Sequence, residues 1–461
     1  MAGESISDGT PVAPTVVMDN GTGYSKIGFA GNSAPSFVFP TAVALKAGIG
    51  GSGGMGSGRP PVANKPSFLT GGGAAGHLSA KRGTEDLDYF IGDEATAAAN
   101  GPGYGLHYPI RHGQIENWDH MERFWSNSIY QYLRVEPEDY LFLLTEPPLT
   151  PPENRKTVAE IFFESFNCKG LHIGVQAVLA LLAAEPSAAT EAPTGIVIDS
   201  GDGVTHVIPV ADGSVIGSSI KSIPIAGRDL TYFVQGLLRD RGEPDSSLKT
   251  AQAIKEAHCY VCRKGIVKEF SRFDRDRSRL LKHVVTQPNG RQVTVDVGYE
   301  RFLAPEIFFN PEIYSSDFLT PLPVVIDEAI HSCPIDTRKG LYGNIVLSGG
   351  STLYKHFATR LQGDIKELVD ARIRQSERSS GGRARSGGVE VRVVKHERQR
   401  HGPWYGGSVM AQQKDFQLRC LSREEYREYG YDAGQREVEK RLREAARKEA
   451  EAKQEAAETR R

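Results

Sequence analysis

One motif occurs twice in this chain, at positions 180 residues apart. The string VVMDNGTG at residues 16–23 returns as IVIDSGDG at residues 196–203. Each copy is a short apolar run, an acid, and glycines two and four places further on. A buried strand of this kind carries its carboxylate to a sheet edge, and the glycines let backbone N–H groups converge on an anion. The repeat therefore predicts two related lobes that grip a polyphosphate, with Asp19 and Asp199 aimed at its metal.

The composition fits a soluble globular chain with room for two or three domains, since it has 461 residues, 39% hydrophobic and 24% charged. The formal net charge of −2 gives no reason to expect binding to nucleic acid or to an anionic membrane. No apolar stretch approaches the ~20 residues of a membrane-spanning helix. Residues 1–14 show no secretory signal. We therefore expect no membrane span and no direct nucleic-acid contact.

The five cysteines are sparse and scattered, which favours reduced thiols in the cytosol over a disulfide framework. Cys259 and Cys262 have the spacing of half a zinc site. No second ligand pair follows them, so we expect two thiols on one helix.

The pattern of apolar residues predicts four segments. A first lobe spans 1–184 and contains a glycine-rich insertion at 41–83, with eleven glycines between Gly48 and Gly76. A second lobe spans 185–405, residues 406–434 return to the first lobe, and 435–461 form a charged helical tail. Apart from the strand–turn–strand at 15–30, strands are expected at 141–145, 205–210 and 215–219, and helices at 154–166, 175–184, 229–239 and 248–261. A third strand-to-glycine turn at 344–352 is expected to lead into a helix that begins at Leu353.

The tail is rich in glutamate–basic pairs at i,i+4 spacing, each with the glutamate first: 437/441, 439/443, 444/448 and 449/453. Val438 and Leu442 are its only branched apolar residues, too few for a coiled-coil seam. We expect a solvated helix, with partner binding as the alternative. The basic, glycine-rich segment 376–388 lacks interleaved aromatic residues, so we predict a surface loop rather than a nucleic-acid contact.

Three further residues have side chains suited to nucleotide chemistry. Lys26 and His206 occupy equivalent positions in the two copies, each on the strand that leaves the turn. A lysine there is a point charge for the β- and γ-phosphates, and the histidine is either a site residue or a buried core histidine. Gln176 lies on an apolar helix, where it is either a packed amide or the group that positions an attacking water. Asp19 and Asp199 are suited to a hydrated Mg²⁺, which needs only one or two carboxylates.

Together with the string LSGGST at 347–352, the repeated motif resembles the phosphate and adenosine motifs of the actin, Hsp70 and sugar-kinase superfamily. Longer strings resemble the actin branch in particular: YPIRHG at 108–113, LTEPPL at 144–149, VQAVL at 175–179, AGRDL at 226–230 and WYGGS at 404–408. Others resemble actin-related proteins of a filament-nucleating complex: 86–94, 204–210, 299–309 and 333–336. The resemblance covers roughly residues 14–425. It implies an α/β, actin-like fold of two lobes, each a ribonuclease H-like repeat, with a nucleotide cleft between them.

The resemblance also implies a site for ATP and Mg²⁺. Asp19 and Asp199 hold the metal through water, and Gln176 and His206 align the hydrolytic water. The nucleotide-binding residues that it implies are Gly21, Thr22, Gly23, Lys26, Gly201, Asp202, Gly203, Lys255, Glu256, Gly349, Gly350, Tyr354 and Arg400. Arg400 stands where the family has a lysine over the adenine.

The function implied is that of an ATP-binding, actin-related subunit of a complex that nucleates branched actin filaments, acting as an actin-like seed for the daughter filament. Its ATP hydrolysis is at most a slow conformational timer. Expected partners are a second actin-related protein, the other subunits of the complex, actin filaments and nucleation-promoting factors, at the cytoplasmic, cortical actin cytoskeleton. Two alternatives stay open: a nuclear actin-related subunit of a chromatin-remodelling complex, and a sugar-kinase-like phosphotransferase.

Overall fold

The computed structural model of the chain describes residues 14–46, 89–101, 103–184, 193–275, 280–286, 290–380 and 387–459, without the side chains of 274, 449–450 and 452–459. The glycine-rich stretch 48–76 and residues 381–386 of the basic loop lie outside this part of the chain. The chain divides into two compact units, unit 1 (residues 1–179 and 403–461) and unit 2 (residues 180–402).

Unit 1 is built on a six-stranded sheet with the order β19-β10-β9-β1-β2-β3. Its strands are β1 (Thr15–Asn20), β2 (Tyr24–Phe29), β3 (Phe37–Pro40), β9 (Leu141–Glu146), β10 (Gly170–Val175) and β19 (Leu421–Ser422). β1, β9 and β10 run parallel, while β2 returns antiparallel to β1. Parallel strands are buried on both faces, which explains why β1 and β9 are almost continuously apolar. Their carboxyl ends bring Asp19, Thr145 and Gln176 to one edge.

The other strands of unit 1 form two small sheets. β4 (Val43–Lys46) pairs with β5 (Tyr89–Ile91) and β6 (Tyr104–His107), and β7 (Ile110–Arg111) pairs with β8 (Gln114–Ile115). The helices are α1 (Gly92–Ala98), α2 (Trp118–Asn127), α3 (Pro152–Glu160), α4 (Gln176–Ala184), α12 (Gly402–Met410), α13 (Phe416–Arg419) and α14 (Arg423–Thr459), of which α4 and α12 cross the unit boundaries. Two π-helical segments, Ser128–Leu133 and Ile161–Ser165, continue α2 and α3.

Unit 2 repeats the same plan. Its main sheet has the order β13-β12-β11-β17-β18, with β14 also paired to β12. The strands are β11 (Gly195–Ser200), β12 (Thr205–Ala211), β13 (Ser214–Val215), β14 (Lys221–Ile223), β17 (Ile345–Ser348) and β18 (Val393–Val394), and β15 (Leu281–Thr286) with β16 (Gln292–Val297) forms a separate hairpin. The helices are α5 (Gly227–Asp240), α6 (Leu248–His258), α7 (Val267–Arg275), α8 (Glu300–Glu306), α9 (Leu322–Ser332), α10 (Ile335–Gly343) and α11 (Phe357–Ser379).

The internal repeat is visible at the level of strand register. In unit 1, Asp19 on β1 pairs with Lys26 on β2; in unit 2, Asp199 on β11 pairs with His206 on β12. The equivalence inferred from the 180-residue offset is therefore confirmed by the backbone pairing. The α/β, actin-like fold class predicted from the sequence is confirmed as well.

Several predicted element boundaries are wrong. The chain after β17 first makes a 3₁₀ turn at Gly350–Thr352, and α11 begins at Phe357 rather than at Leu353. Within 215–219 only Val215 is in a strand, because Gly217–Ser219 form another 3₁₀ turn. α6 ends at His258, so Cys259 caps it with extended backbone and Cys262 lies beyond it. The two thiols therefore do not share a helix.

The C-terminal tail packs more closely than expected. Gly430, with φ of 69°, breaks α14 into two helical parts, and a positive φ is a conformation that glycine adopts readily. After this kink Val438 is only 4% exposed, and Tyr431 and Leu442 pack against the same core. The expectation of a fully solvated tail at 435–461 is therefore wrong for residues 438–442.

Among the residues that the structure describes, no helix combines the length and apolar character needed to cross a membrane.

Candidate functional site

The centre of the site in unit 1 is the carboxylate of Asp19. One oxygen, Oδ2, accepts a hydrogen bond from Lys26 Nζ at 2.8 Å. The other, Oδ1, accepts from Thr145 Oγ1 at 2.6 Å and from Gln176 Nε2 at 3.1 Å. β2, β9 and the start of α4 thus each direct one donor at the carboxylate on β1.

Asp19 stays ionised despite its burial. Its side chain is almost completely shielded, and burial alone raises the pKa of a carboxyl group. The charge of Lys26 and the hydrogen bonds from Lys26, Thr145 and Gln176 outweigh this effect and hold the pKa of Asp19 below its usual value. A buried ionised carboxylate at a sheet edge is chemically suited to the water shell of Mg²⁺.

The first turn, which joins β1 to β2, uses part of its hydrogen-bonding capacity internally. The Gly21 amide donates to Tyr24 O at 3.1 Å. Thr22 Oγ1 accepts from the Gly113 amide at 2.9 Å, which ties the turn to the loop between β7 and β8. The Gly21 amide is thus engaged within the turn, and the Thr22 and Gly23 amides are left as its candidate phosphate ligands.

The equivalent carboxylate in unit 2 is Asp199, paired across the strands with His206. His206 Nδ1 lies 3.0 Å from Ser222 Oγ on β14. Burial lowers the pKa of His206, and the charge of Asp199 partly opposes this. A neutral imidazole can donate from one nitrogen and accept at the other, as the alignment of a water molecule requires.

The second turn, at residues 201–203, is braced by neighbouring segments. Gly201 O accepts from the Gly227 amide at 3.0 Å and from Ser351 Oγ at 2.7 Å. Arg228, at the start of α5, forms an ion pair with Asp202, in which Nη2 and Nε both donate to Oδ2, at 2.9 and 3.2 Å. These contacts tie the turn to the start of α5 and to the third glycine turn.

Gly349 permits the close approach of the third glycine turn to the second. A Cβ atom at this residue would lie 2.1 Å from Ser200 O, and its φ of +85° also disfavours other residues. At Gly201 and Gly350 an added Cβ would meet nothing within 4 Å. The three glycines thus leave exposed backbone beside the carboxyl end of β11, as an anion-binding surface requires.

The residues expected near the adenosine differ in exposure, and they do not all lie together. Lys255 is 8% exposed, its Nζ donates to Gly227 O at 2.7 Å, and burial lowers its pKa. Glu256 is exposed and accepts from Gln252, and Tyr354, whose pKa is raised well above its usual value by burial, interacts electrostatically with Glu256. Arg400 is exposed on the 3₁₀ turn Gln399–His401. Lys255, Glu256 and Tyr354 are thus near neighbours, whereas within the described residues Arg400 makes no hydrogen bond or ion pair with them.

Sequence reasoning missed three residues that shape the site: Thr145, Arg228 and Ser351. Each lies inside a string that carries the family resemblance, but a hydroxyl or guanidinium there has no spacing signature of its own. Only the strand register shows that Thr145 faces Asp19 and Gln176.

Comparison with known proteins gives a consistent result. The Actin family model matches residues 10–442 of the chain. Actin-related protein 3 of Neurospora crassa is 76% identical over 420 residues, which are 90% of this chain and 95% of that protein. Actin-related protein 3 of Schizosaccharomyces pombe is 62% identical (91% of this chain, 96% of that protein), and that of Dictyostelium discoideum is 51% identical (90% and 95%).

Proposed function

The chain belongs to the actin family, and on that premise we propose that it is an ATP-binding subunit of a complex that nucleates branched actin filaments. The support is the 76% identity to a protein named actin-related protein 3, over nearly the whole length of both chains. In this role the subunit serves as an actin-like seed for the daughter filament.

The observation that carries nucleotide binding is the duplicated acid–turn–strand unit, with Asp19 facing Lys26 and Asp199 facing His206 at the same register. We propose that both half-sites serve one Mg-ATP. Asp19 and Asp199 would hold Mg²⁺ through water, and Lys26 with the amides of both turns would hold the phosphates. Lys255, Glu256 and Tyr354 would contact the adenosine. Mg²⁺ supplies charge neutralisation of the phosphates when bound.

We assign the hydrolytic step to Gln176 and His206. Gln176 carries no charge, and burial lowers the pKa of His206, so neither is a strong base. Both can orient a water molecule by hydrogen bonding, which supports slow hydrolysis used as a conformational timer rather than rapid turnover.

The proposed partners are actin-related protein 2, the remaining subunits of the complex, actin filaments and nucleation-promoting factors, at the cortical actin cytoskeleton of the cytoplasm. Affinity purification of the tagged chain, read by mass spectrometry, tests this directly. We expect actin-related protein 2 and five non-actin subunits to co-purify. Recovery of chromatin-remodelling subunits instead would contradict the proposal and favour a nuclear role.

A second experiment distinguishes a seed from a filament protein. The purified chain with Mg-ATP is expected to stay monomeric under conditions that polymerise actin, because the glycine-rich stretch 48–76 has too little apolar content to support a regular contact. Light scattering and electron microscopy provide the measurement. Long homopolymers would favour a conventional actin.

A further inference from the structure

Thr145 lies on the middle one of three adjacent parallel strands, at the edge where all three end. β9 pairs with β1 through Met18↔Leu144 and with β10 through Gly174↔Thr145. One hydroxyl group is thereby placed between Asp19, near the end of β1, and Gln176, the first residue after β10. Its Oγ1 lies 2.6 Å from Asp19 Oδ1 and 3.3 Å from Gln176 Nε2.

The hydrogen atoms available in this cluster determine how the side-chain amide of Gln176 is oriented. A threonine hydroxyl has one proton, and an ionised carboxylate can only accept. That proton is committed to Asp19 Oδ1, so Thr145 Oγ1 faces Gln176 as an acceptor. Asp19 Oδ1, at 3.1 Å from Gln176 Nε2, is a second acceptor. Both require the NH₂ end of the Gln176 amide, and its carbonyl oxygen Oε1 is therefore turned away from them.

We propose that Thr145 is a positioning residue that, together with Asp19 Oδ1, fixes the amide orientation of Gln176 so that Oε1 accepts a hydrogen bond from the attacking water. The inference rests on the proposed function, since it requires ATP hydrolysis. In that reaction the water oxygen bonds to the γ-phosphorus, the bond to the β,γ-bridging oxygen breaks with its electrons leaving on ADP, and the water proton passes to the released phosphate or to solvent. A flipped amide would point a donor at the water and misalign its lone pair.

The test uses the full-length protein and three substitutions. Thr145→Val keeps the side-chain shape but removes the hydroxyl, and Thr145→Ser restores it. Thr157→Val is the matched control, because the Thr157 hydroxyl only donates to Glu153 O on α3. Mg-ATP affinity is measured by equilibrium titration, hydrolysis in a single turnover, and stability by melting without nucleotide.

With Thr145→Val we expect affinity within about threefold of wild type and hydrolysis slower by about 2- to 10-fold, the scale of one lost hydrogen bond, because Asp19 Oδ1 still accepts from Gln176 Nε2 at 3.1 Å. Thr145→Ser is expected to recover most of the rate, and Thr157→Val to change neither affinity nor rate. In a Gln176→Ala background, Thr145→Val should cause no further loss of rate, because Thr145 acts through Gln176.

Three results would overturn the role of Thr145: an unchanged rate in Thr145→Val, an equal rate loss with and without Gln176, or a loss of affinity and melting temperature that accounts for the lost rate. A wild-type protein that binds Mg-ATP without any turnover would also contradict it, while leaving the proposed nucleotide binding intact. A wild-type protein that binds no ATP would contradict both.

Discussion

Two buried acids in this protein have pKa values that are shifted in opposite directions. Asp19 has three hydrogen-bond donors, including a lysine, and its pKa is lowered. Glu306, at the end of α8, is also fully buried, but burial raises its pKa to about 7 against the opposing charge of Arg360, 3.6 Å away. Asn310 donates to Glu306 Oε1 at 2.6 Å. The difference between the two acids comes from how many donors compensate for the lost hydration.

The raised pKa of Glu306 predicts a pH dependence of stability. Since the group titrates near 4.5 when unfolded and near 7 when folded, its ionisation destabilises the folded state progressively between these values and by a constant amount above them. Glu306→Gln cannot ionise and avoids this destabilisation. The variant's melting temperature should therefore exceed that of wild type at pH 8, and the difference should shrink towards pH 5. The effect is at most about 3 kcal/mol.

Arg360 keeps other partners in this variant, because its Nε donates to Asp364 at 2.7 Å and its Nη1 to Cys262 O at 2.9 Å. Glu312→Gln is the control, since Glu312 is an exposed acid nearby and its replacement should leave the pH profile unchanged. If the melting temperatures of wild type and Glu306→Gln differ by the same amount from pH 5 to pH 8, the titration assigned to Glu306 is contradicted.

At the scale of single elements, one arginine on the C-terminal part of α14 bonds to groups of neighbouring segments. Arg441 donates to the carbonyl oxygens of Leu418 and Cys420 at 2.9–3.1 Å and pairs with Glu425 at 2.5 Å. Arg443, two residues on, is 83% exposed and pairs with Glu439 at 3.5 Å. The two arginines share a helix, but only one of them satisfies groups on other elements.

Arg441→Ala should therefore weaken the docking of residues 431–442 on the core, since it removes the donor of two carbonyl groups, at a cost of about 1–3 kcal/mol. Arg443→Ala is the matched control and should have little effect, as is usual for an exposed pair. Hydrogen exchange of the amides in 431–442 measures the opening. Equal protection in the two variants would show that Arg441 is not what holds the helix.

The same helix shows what the sequence could and could not predict. The i,i+4 rule correctly gave a helix and the 439/443 pair, but it also assigned Arg441 to Glu437, whereas the structure pairs it with Glu425 across the Gly430 kink. Local spacing cannot anticipate a partner brought in by a chain reversal. By contrast, the equivalence of Lys26 and His206 was predictable, because the 180-residue offset places both on the strand that leaves the turn. That each of them faces the acid of its own copy is known only from the strand register.

For the whole molecule, the proposed function makes the two units depend on one ligand. Asp19 belongs to unit 1 and Asp199 to unit 2. If one Mg-ATP engages both, Asp19→Ala should abolish not only the ATP-induced protection of amides at 20–23 but also that at 201–203, where the chain itself is unchanged. Asp199→Ala should do the converse, and the double variant should lose no more ATP-induced stabilisation than the weaker-binding single variant.

Hydrogen exchange with and without Mg-ATP measures both segments in one experiment, and thermal melting gives the stabilisation. Asp240→Ala, at the exposed end of α5, is the control and should keep the full response in both units. Two independent sites would behave differently, because each substitution would then affect only its own turn and the losses would add. With a single shared nucleotide, a substitution in one unit must also remove the ATP-induced protection of the turn in the other unit, since a nucleotide that does not bind protects neither turn.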